Sequence, residues 1–284
     1  MRAPSFPATV APAIAARTPG PLSALWTLTG YFLSKTVRSV LIWGFSLGAL
    51  AVMVVAVYPS IGAQISDLLK SYPPELRALF GAGSQVSTVQ SWLGVELFNF
   101  LAPLTLAFYP ILIGARAIAG AEEKGSLDVL LSNPVPRWQL VASTFLTMAV
   151  GLLCILAILA ALTWAPSLVV DVNLPLSSVL AGVLNLWPLC MWFGALALLC
   201  SALVRRTALA MAIPGGLLVL MYFVNGLGGM TDVLDPLRPA TLFYHYGSAI
   251  EHGIRWTSFA VISLFALAFA CLAIAAFNRR DLYT

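Results

Sequence analysis

Residues 140–165 read LVASTFLTMAVGLLCILAILAALTWA, a run without a single Asp, Glu, Lys, Arg or His. At about 1.5 Å of rise per residue, a helix of this length crosses the roughly 30 Å hydrocarbon core of a bilayer. Five further runs have the same character: Val40–Tyr58, Leu97–Ala117, Ser178–Val204, Thr207–Asn225 and Trp256–Phe277. Within these windows the only charge is Arg116, at the end of its run. A charge at mid-bilayer costs about 2.5–3.5 kcal/mol on insertion scales, so the charged residues mark where each span stops. The chain therefore reads as an all-α integral membrane protein of six transmembrane helices.

Composition agrees. Sixty per cent of the 284 residues are hydrophobic and 9% are charged, against about 25% charged in a soluble domain. The 15 Lys and Arg residues are dispersed between apolar blocks, which excludes a basic face for nucleic acid. Cys154, Cys190, Cys200 and Cys271 all fall inside apolar runs and form no CxxC pair, so they read as small core residues. Residues 1–20, rich in Ala and Pro, read as a flexible tail without a signal-peptide core.

Lys and Arg also give a sidedness. With both ends in the cytoplasm, eleven of the 15 lie inside, among them Lys35, Arg38, Arg116, Lys124, Arg137, Arg205, Arg206, Arg279 and Arg280. Only Lys70, Arg77, Arg238 and Arg255 fall outside. The outer loop 59–95 carries Ile61, Ile65, Leu68 and Leu69 at helical spacing, then Pro73-Pro74 opening a second short helix stopped at Gly81. The outer loop 226–255 starts with a Gly-rich turn and predicts a short or re-entrant helix around Thr241–Ile250. Before the first span, Leu22, Leu25, Trp26, Phe32 and Leu33 form an apolar stripe beside Ser34, Lys35 and Arg38, the pattern of an in-plane interfacial helix.

The densest charge in the chain lies between the second and third spans, in AEEKGSLDVLLSNPVPRWQL, residues 121–140. Leu127, Leu130 and Leu131 make one face of a short helix and Asp128 the other, and Pro134 and Pro136 end it. The residues alone fit either an ordinary solvated turn or a helix shaped to take a push from a soluble partner.

This stretch resembles the signature that follows the second span in ABC-2-type ABC transporter permeases: an acidic pair, Gly, Ser or Thr, Leu, an acid, Leu-Leu, then Pro and Arg. Asp235-Pro-Leu-Arg-Pro239 before the last span and the closing Asn278-Arg-Arg-Asp-Leu-Tyr283 agree over residues 21–284. Ser126 stands where Thr is usual and Asp128 where Glu is usual. The resemblance implies an ABC-2 (type V-like) permease fold. It also implies a coupling region 118–138 in which Glu122, Glu123, Gly125, Ser126, Leu127, Asp128 and Arg137 dock on a separate ATPase subunit. Arg205-Arg206, between the fourth and fifth spans, would be the second contact; by charge alone the pair also fits a simple inside anchor. Two ATPase copies carrying ATP and Mg, and a second permease subunit, identical or paralogous, are the implied partners, in a bacterial plasma membrane.

No phosphate loop is present. Gly120 and Gly125-Ser126 have the spacing, but the Lys is missing and Glu122 and Glu123 would repel phosphate. No cofactor and no metal is expected in this chain, because His245 and His252 have neither Cys nor clustered acids beside them. Gly44-Phe-Ser-Leu-Gly48 permits close helix contact, read as an intramolecular seam in preference to a dimer seam. Pro103, Pro110, Pro188 and Pro214 are expected to loosen spans two, four and five. Polar residues within the spans are few; Asn99, Asn185 and Asn225, with Trp187, mark a candidate translocation path suited to a lipophilic or amphiphilic cargo exported across lipid. A related permease for cofactor or envelope assembly, with a sulfur species, ion or lipid as cargo, is the nearest alternative. A secondary transporter or membrane enzyme is disfavoured by the lack of acids within these windows. Cysteines placed singly in residues 118–138 should react with impermeant thiol reagents only from the cytoplasmic side; labelling from outside would overturn the topology.

Overall fold

The computed structural model describes residues 21–71, 88–125, 136–170, 172–229, 231 and 233–280. Among these residues all regular structure is helical. Six helices are long and apolar enough to cross a membrane: Leu22–Ser60, Val89–Ala117, Arg137–Leu168, Leu176–Leu203, Thr207–Gly228 and Trp256–Arg279. They are the six expected, and the last four agree with the apolar runs to within a few residues.

The first helix differs. It runs without interruption from Pro21 to Ser71, so the N-terminal stripe and the helical spacing after Pro59 belong to the two ends of one rod. The separate interfacial helix is corrected to an extension of the first span. Nothing between Leu22 and Val40 stops a helix, and Gly30 alone does not. The second outer helix expected after Pro73 lies outside the described residues.

The second span begins earlier than the apolar run, at Val89, where Thr88 caps its first turn by accepting the Ser91 N–H. It then widens into a π-turn over Gly94–Leu101. In that register each carbonyl pairs with the N–H five residues on, as Leu97 does with Ala102. Phe98 should pair with residue 103, which is proline and has no N–H. The buried Tyr246 hydroxyl donates to the Phe98 carbonyl instead, at 3.0 Å. The expected loosening at proline is thus visible in the second span, whereas the fourth and fifth helices run through Pro188 and Pro214 unbroken.

The fourth span is the hub. It packs against the second, third, fifth and sixth, while the first reaches the bundle mainly through the third. Lipid is as apolar as the side chains, so small residues that allow close backbone approach decide the contacts. A Cβ on Gly114 would lie 2.5 Å from the Gly194 carbonyl, and one on Gly194 would lie 2.5 Å from Pro110, so the second and fourth spans meet backbone to backbone. Gly44 and Gly48 lie against Ile158 and Leu162 of the third span, which makes their motif an intramolecular seam. The sixth span buries only the stripe Ile262, Ala266, Ala270, Ala273 and Phe277. Leu264, Phe265, Leu267 and Leu272 stand exposed, an apolar face that suits hydrocarbon and not water.

The 226–255 connection returns into the bundle as two short helices, Leu242–Tyr246 and Ala249–His252, with Leu242, Phe243, Tyr246, Ala249 and Ile250 buried. Asn185 of the fourth span donates to the Tyr246 carbonyl at 2.9 Å. Arg255 donates to the carbonyls of Tyr244 and His245 at 2.8 and 2.6 Å. Replacing Tyr246 by Phe keeps the ring and strands the Phe98 carbonyl. Thermal unfolding in detergent should show a loss of about 1–2 kcal/mol; an unchanged midpoint would refute the hydroxyl's role in closing the π-turn.

Candidate functional site

The charged loops gather at the arginine-rich end of the bundle. The second span ends at Ala117, and after a break at Ile118 a short helix, Ala119–Glu123, follows. Such a break leaves backbone groups without partners. The buried hydroxyl of Ser201 serves three of them: it accepts the N–H groups of Ile118 and Ala119 at 3.2 and 2.9 Å and donates to the Ala115 carbonyl at 2.8 Å. Gly125 then stops the short helix with φ of 64°, and its N–H donates to the Glu122 carbonyl at 2.9 Å.

The acidic pair divides its work. The Glu123 carboxylate accepts the Thr207 N–H at 3.0 Å and the Thr207 hydroxyl at 2.6 Å. Arg206 occupies the cap position of the fifth span without a side-chain acceptor, so a residue 84 positions away in sequence supplies the cap and sets a negative charge on the helix N-terminus. The Thr207 hydroxyl and N–H, with the nearby Arg206 charge, hold the Glu123 carboxyl below the usual carboxylate range. Glu122 accepts from Arg280 at 2.8 Å and stands 3.6 Å from Arg205. Arg280 also reaches the Ala202 carbonyl at 3.4 Å.

Arg137 completes the junction. As first residue of the third span it donates to the carbonyls of Phe277 and Arg280, at 3.2 and 2.7 Å, and its guanidinium lies 5.5 Å from the Phe277 ring centroid. A cation thereby closes the carbonyl end of the sixth helix. The connection after the second span, the turn between the fourth and fifth, the start of the third and the end of the sixth are tied at one place. Glu122, Glu123, Arg137 and Arg205 are brought together, with Arg206 exposed beside them. Ser126, Leu127 and Asp128 lie outside the described residues. Thr207, Ser201 and Arg280 were missed as partners; in the sequence Arg280 differs in no way from a plain inside anchor.

The four candidate path residues do not share one cavity. Asn185 is buried and holds the re-entrant helix. Trp187 donates to the Ala149 carbonyl at 3.3 Å and stacks on Phe259. Asn225 accepts from Thr241 at 3.5 Å and lines a cavity of about 450 Å³ with Arg238, His252 and Arg255. Asn99 lies in the π-turn, half-buried. Glu96, exposed in the same turn, places an acid inside the Val89–Ala117 helix that the shorter apolar window left out. His245 and His252 line different cavities, and among the described residues no cluster of metal-ligating groups occurs.

A depressed carboxyl pKa adds stability that is present above the ordinary value of 4.5 and is lost as pH falls through the folded value. Wild type should therefore melt above Glu123→Gln at neutral pH, with the gap closing once the pH drops below 4.5. A gap independent of pH would show that Glu123 does not cap the fifth span as a carboxylate.

Over residues 32–282 the chain matches the family described as ABC-2 family transporter protein. No curated protein sequence matches it. The match starts within the first span and ends past the sixth, so it takes in the loops of the charged junction as well as the bundle. The chain belongs to the ABC-2 transporter family, as a multi-pass membrane permease subunit that partners an ABC ATPase.

Proposed function

We propose that this permease exports a lipophilic or amphiphilic compound from a bacterial cytoplasm, with both chain ends and the charged junction on the cytoplasmic face. Two permease subunits, identical or paralogous, would enclose the path above two ATPase subunits that bind ATP and Mg. Sidedness rests on the distribution of Lys and Arg. The cargo class rests on the scarcity of ionisable groups along the described spans, where Glu96 near one end is the acid.

The observation that carries the coupling reading is the contact of Glu122 with both Arg205 and Arg280, beside Glu123 on Thr207. A displacement of the loop after the second span is passed to the fifth span through Thr207 and to the sixth through Arg280 and Arg137. Closure of the ATPase dimer against residues 118–138 would thus tilt several spans together, which is what alternating access requires. In this reading Glu122 and Arg137 act as ties behind the docking surface, and the exposed Glu123 ties the loop to Thr207 at that surface. Arg206 and Gly125, both exposed, stand at the surface with Arg205.

Glu122→Ala with Glu123→Ala should leave membrane insertion intact. Permease-dependent ATP hydrolysis in the purified complex should fall about tenfold, the scale of an ordinary coupling free energy. Exchanging the charges, Glu122→Arg with Arg280→Glu, should recover part of the loss. Full activity in the double alanine variant would end the coupling reading.

A further inference from the structure

At the arginine-rich end, beside the Glu122 junction, the first helix, the second span and the start of the third leave a cleft of about 450 Å³. Its mouth carries Lys35, Arg116 and Lys124, each from a different helix or turn and each exposed. Among the described residues none of the three lies within ion-pair distance of a carboxylate; the nearby acids Glu122 and Glu123 are held by Arg280, Arg205 and Thr207. The Lys35 ammonium lies 5.5 Å from the Tyr31 ring centroid. Three like charges around one opening repel one another, and an anion between them relieves that repulsion.

Deeper in, the wall changes character. Trp43, Leu112 and Ile113 supply apolar surface. The threonine hydroxyls between them have their hydrogens engaged: Thr36 donates to Leu33 at 3.0 Å, Thr144 to Leu140 at 2.8 Å and Thr147 to Ser143 at 2.7 Å, while the buried Tyr109 hydroxyl, also in the lining, has no hydrogen-bond partner among the described residues. The threonines present oxygen lone pairs, and the cations that line the cleft, Lys35, Arg116 and Lys124, all stand at its mouth. From Lys35 to Trp43 along the first helix is about 12 Å. Charge at the interface with apolar wall towards mid-membrane is the polarity order of one bilayer leaflet, where basic residues attract anionic headgroups.

We propose that this cleft binds an anionic amphiphile, with its phosphate or carboxylate head on Lys35, Arg116 and Lys124 and its tail against Trp43, Leu112 and Ile113. The proposal does not depend on the identity of the cargo. An acidic segment of a partner protein fits the mouth but has no use for the apolar depth.

Native mass spectrometry of the full-length permease in detergent, offered equal amounts of dioleoylphosphatidylglycerol and dioleoylphosphatidylcholine, tests the site directly. The anionic lipid should be retained about tenfold over the zwitterionic one. Combining Lys35→Gln, Arg116→Gln and Lys124→Gln should bring the two to parity. Leu112→Trp, which keeps every cation and fills the tail space, should also reduce retention of phosphatidylglycerol; this variant, with Lys35→Gln alone, decides the matter if the triple variant does not fold. Decyl phosphate should displace the lipid and inorganic phosphate should not, which separates an amphiphile site from a simple anion site. Equal retention of both lipids by wild type, a preference that survives the triple substitution, or displacement by inorganic phosphate would overturn the proposal.

Discussion

In hydrocarbon a backbone N–H or C=O has no water to turn to, so every place where a helix bends or breaks must find its partners inside the protein. The functional geometry of this permease is built at such places. The break after the second span is held by Ser201, the π-turn by Tyr246, the return of the 226–255 connection by Asn185, and the open end of the fifth helix by Glu123. Each partner comes from a segment distant in sequence, so every irregularity doubles as a link between spans.

These links are distributed unevenly. At the end that holds the 226–255 connection several are neutral: a tyrosine hydroxyl, an amide, a tryptophan N–H on the Val54 carbonyl, with the Arg255 guanidinium beside them. At the opposite end the buried Ser201 hydroxyl is joined by ionic, partly exposed links, with Arg205 about two-thirds open and Glu122 about a quarter open to solvent. Exposed ion pairs contribute little to stability, but they can exchange partners at small cost, whereas a buried hydroxyl cannot leave a carbonyl stranded.

How much of this could be read from the amino acids follows from range. The spans were legible because a long apolar run such as 140–165 declares itself locally, and so was the Gly44–Gly48 seam, a local spacing of small residues. Glu122 and Glu123 stood out as a charged pair. Their partners Arg280 and Thr207, 158 and 84 residues away, left no local mark. The contact of Asn185 with the Tyr246 carbonyl was hidden for the same reason: an amide in an apolar run must bond something, and the sequence does not say whether that is cargo or a carbonyl. The start of the second span was misplaced because Glu96 and the π-turn interrupt the apolar count there.

The uninterrupted first helix has a mechanical corollary. Its 51 residues make a rod of about 77 Å, more than twice the thickness of the hydrocarbon it crosses. Gly44 and Gly48 seat it on the third span at its midpoint, with 23 residues before Gly44 and as many after Gly48. A beam gripped at its centre is a see-saw. A tilt of about 10° at that fulcrum would swing the two tips by about 6 Å in opposite senses, carrying with it the packing of Val40 at Gly151 on one side and the bond from Trp92 to the Val54 carbonyl on the other.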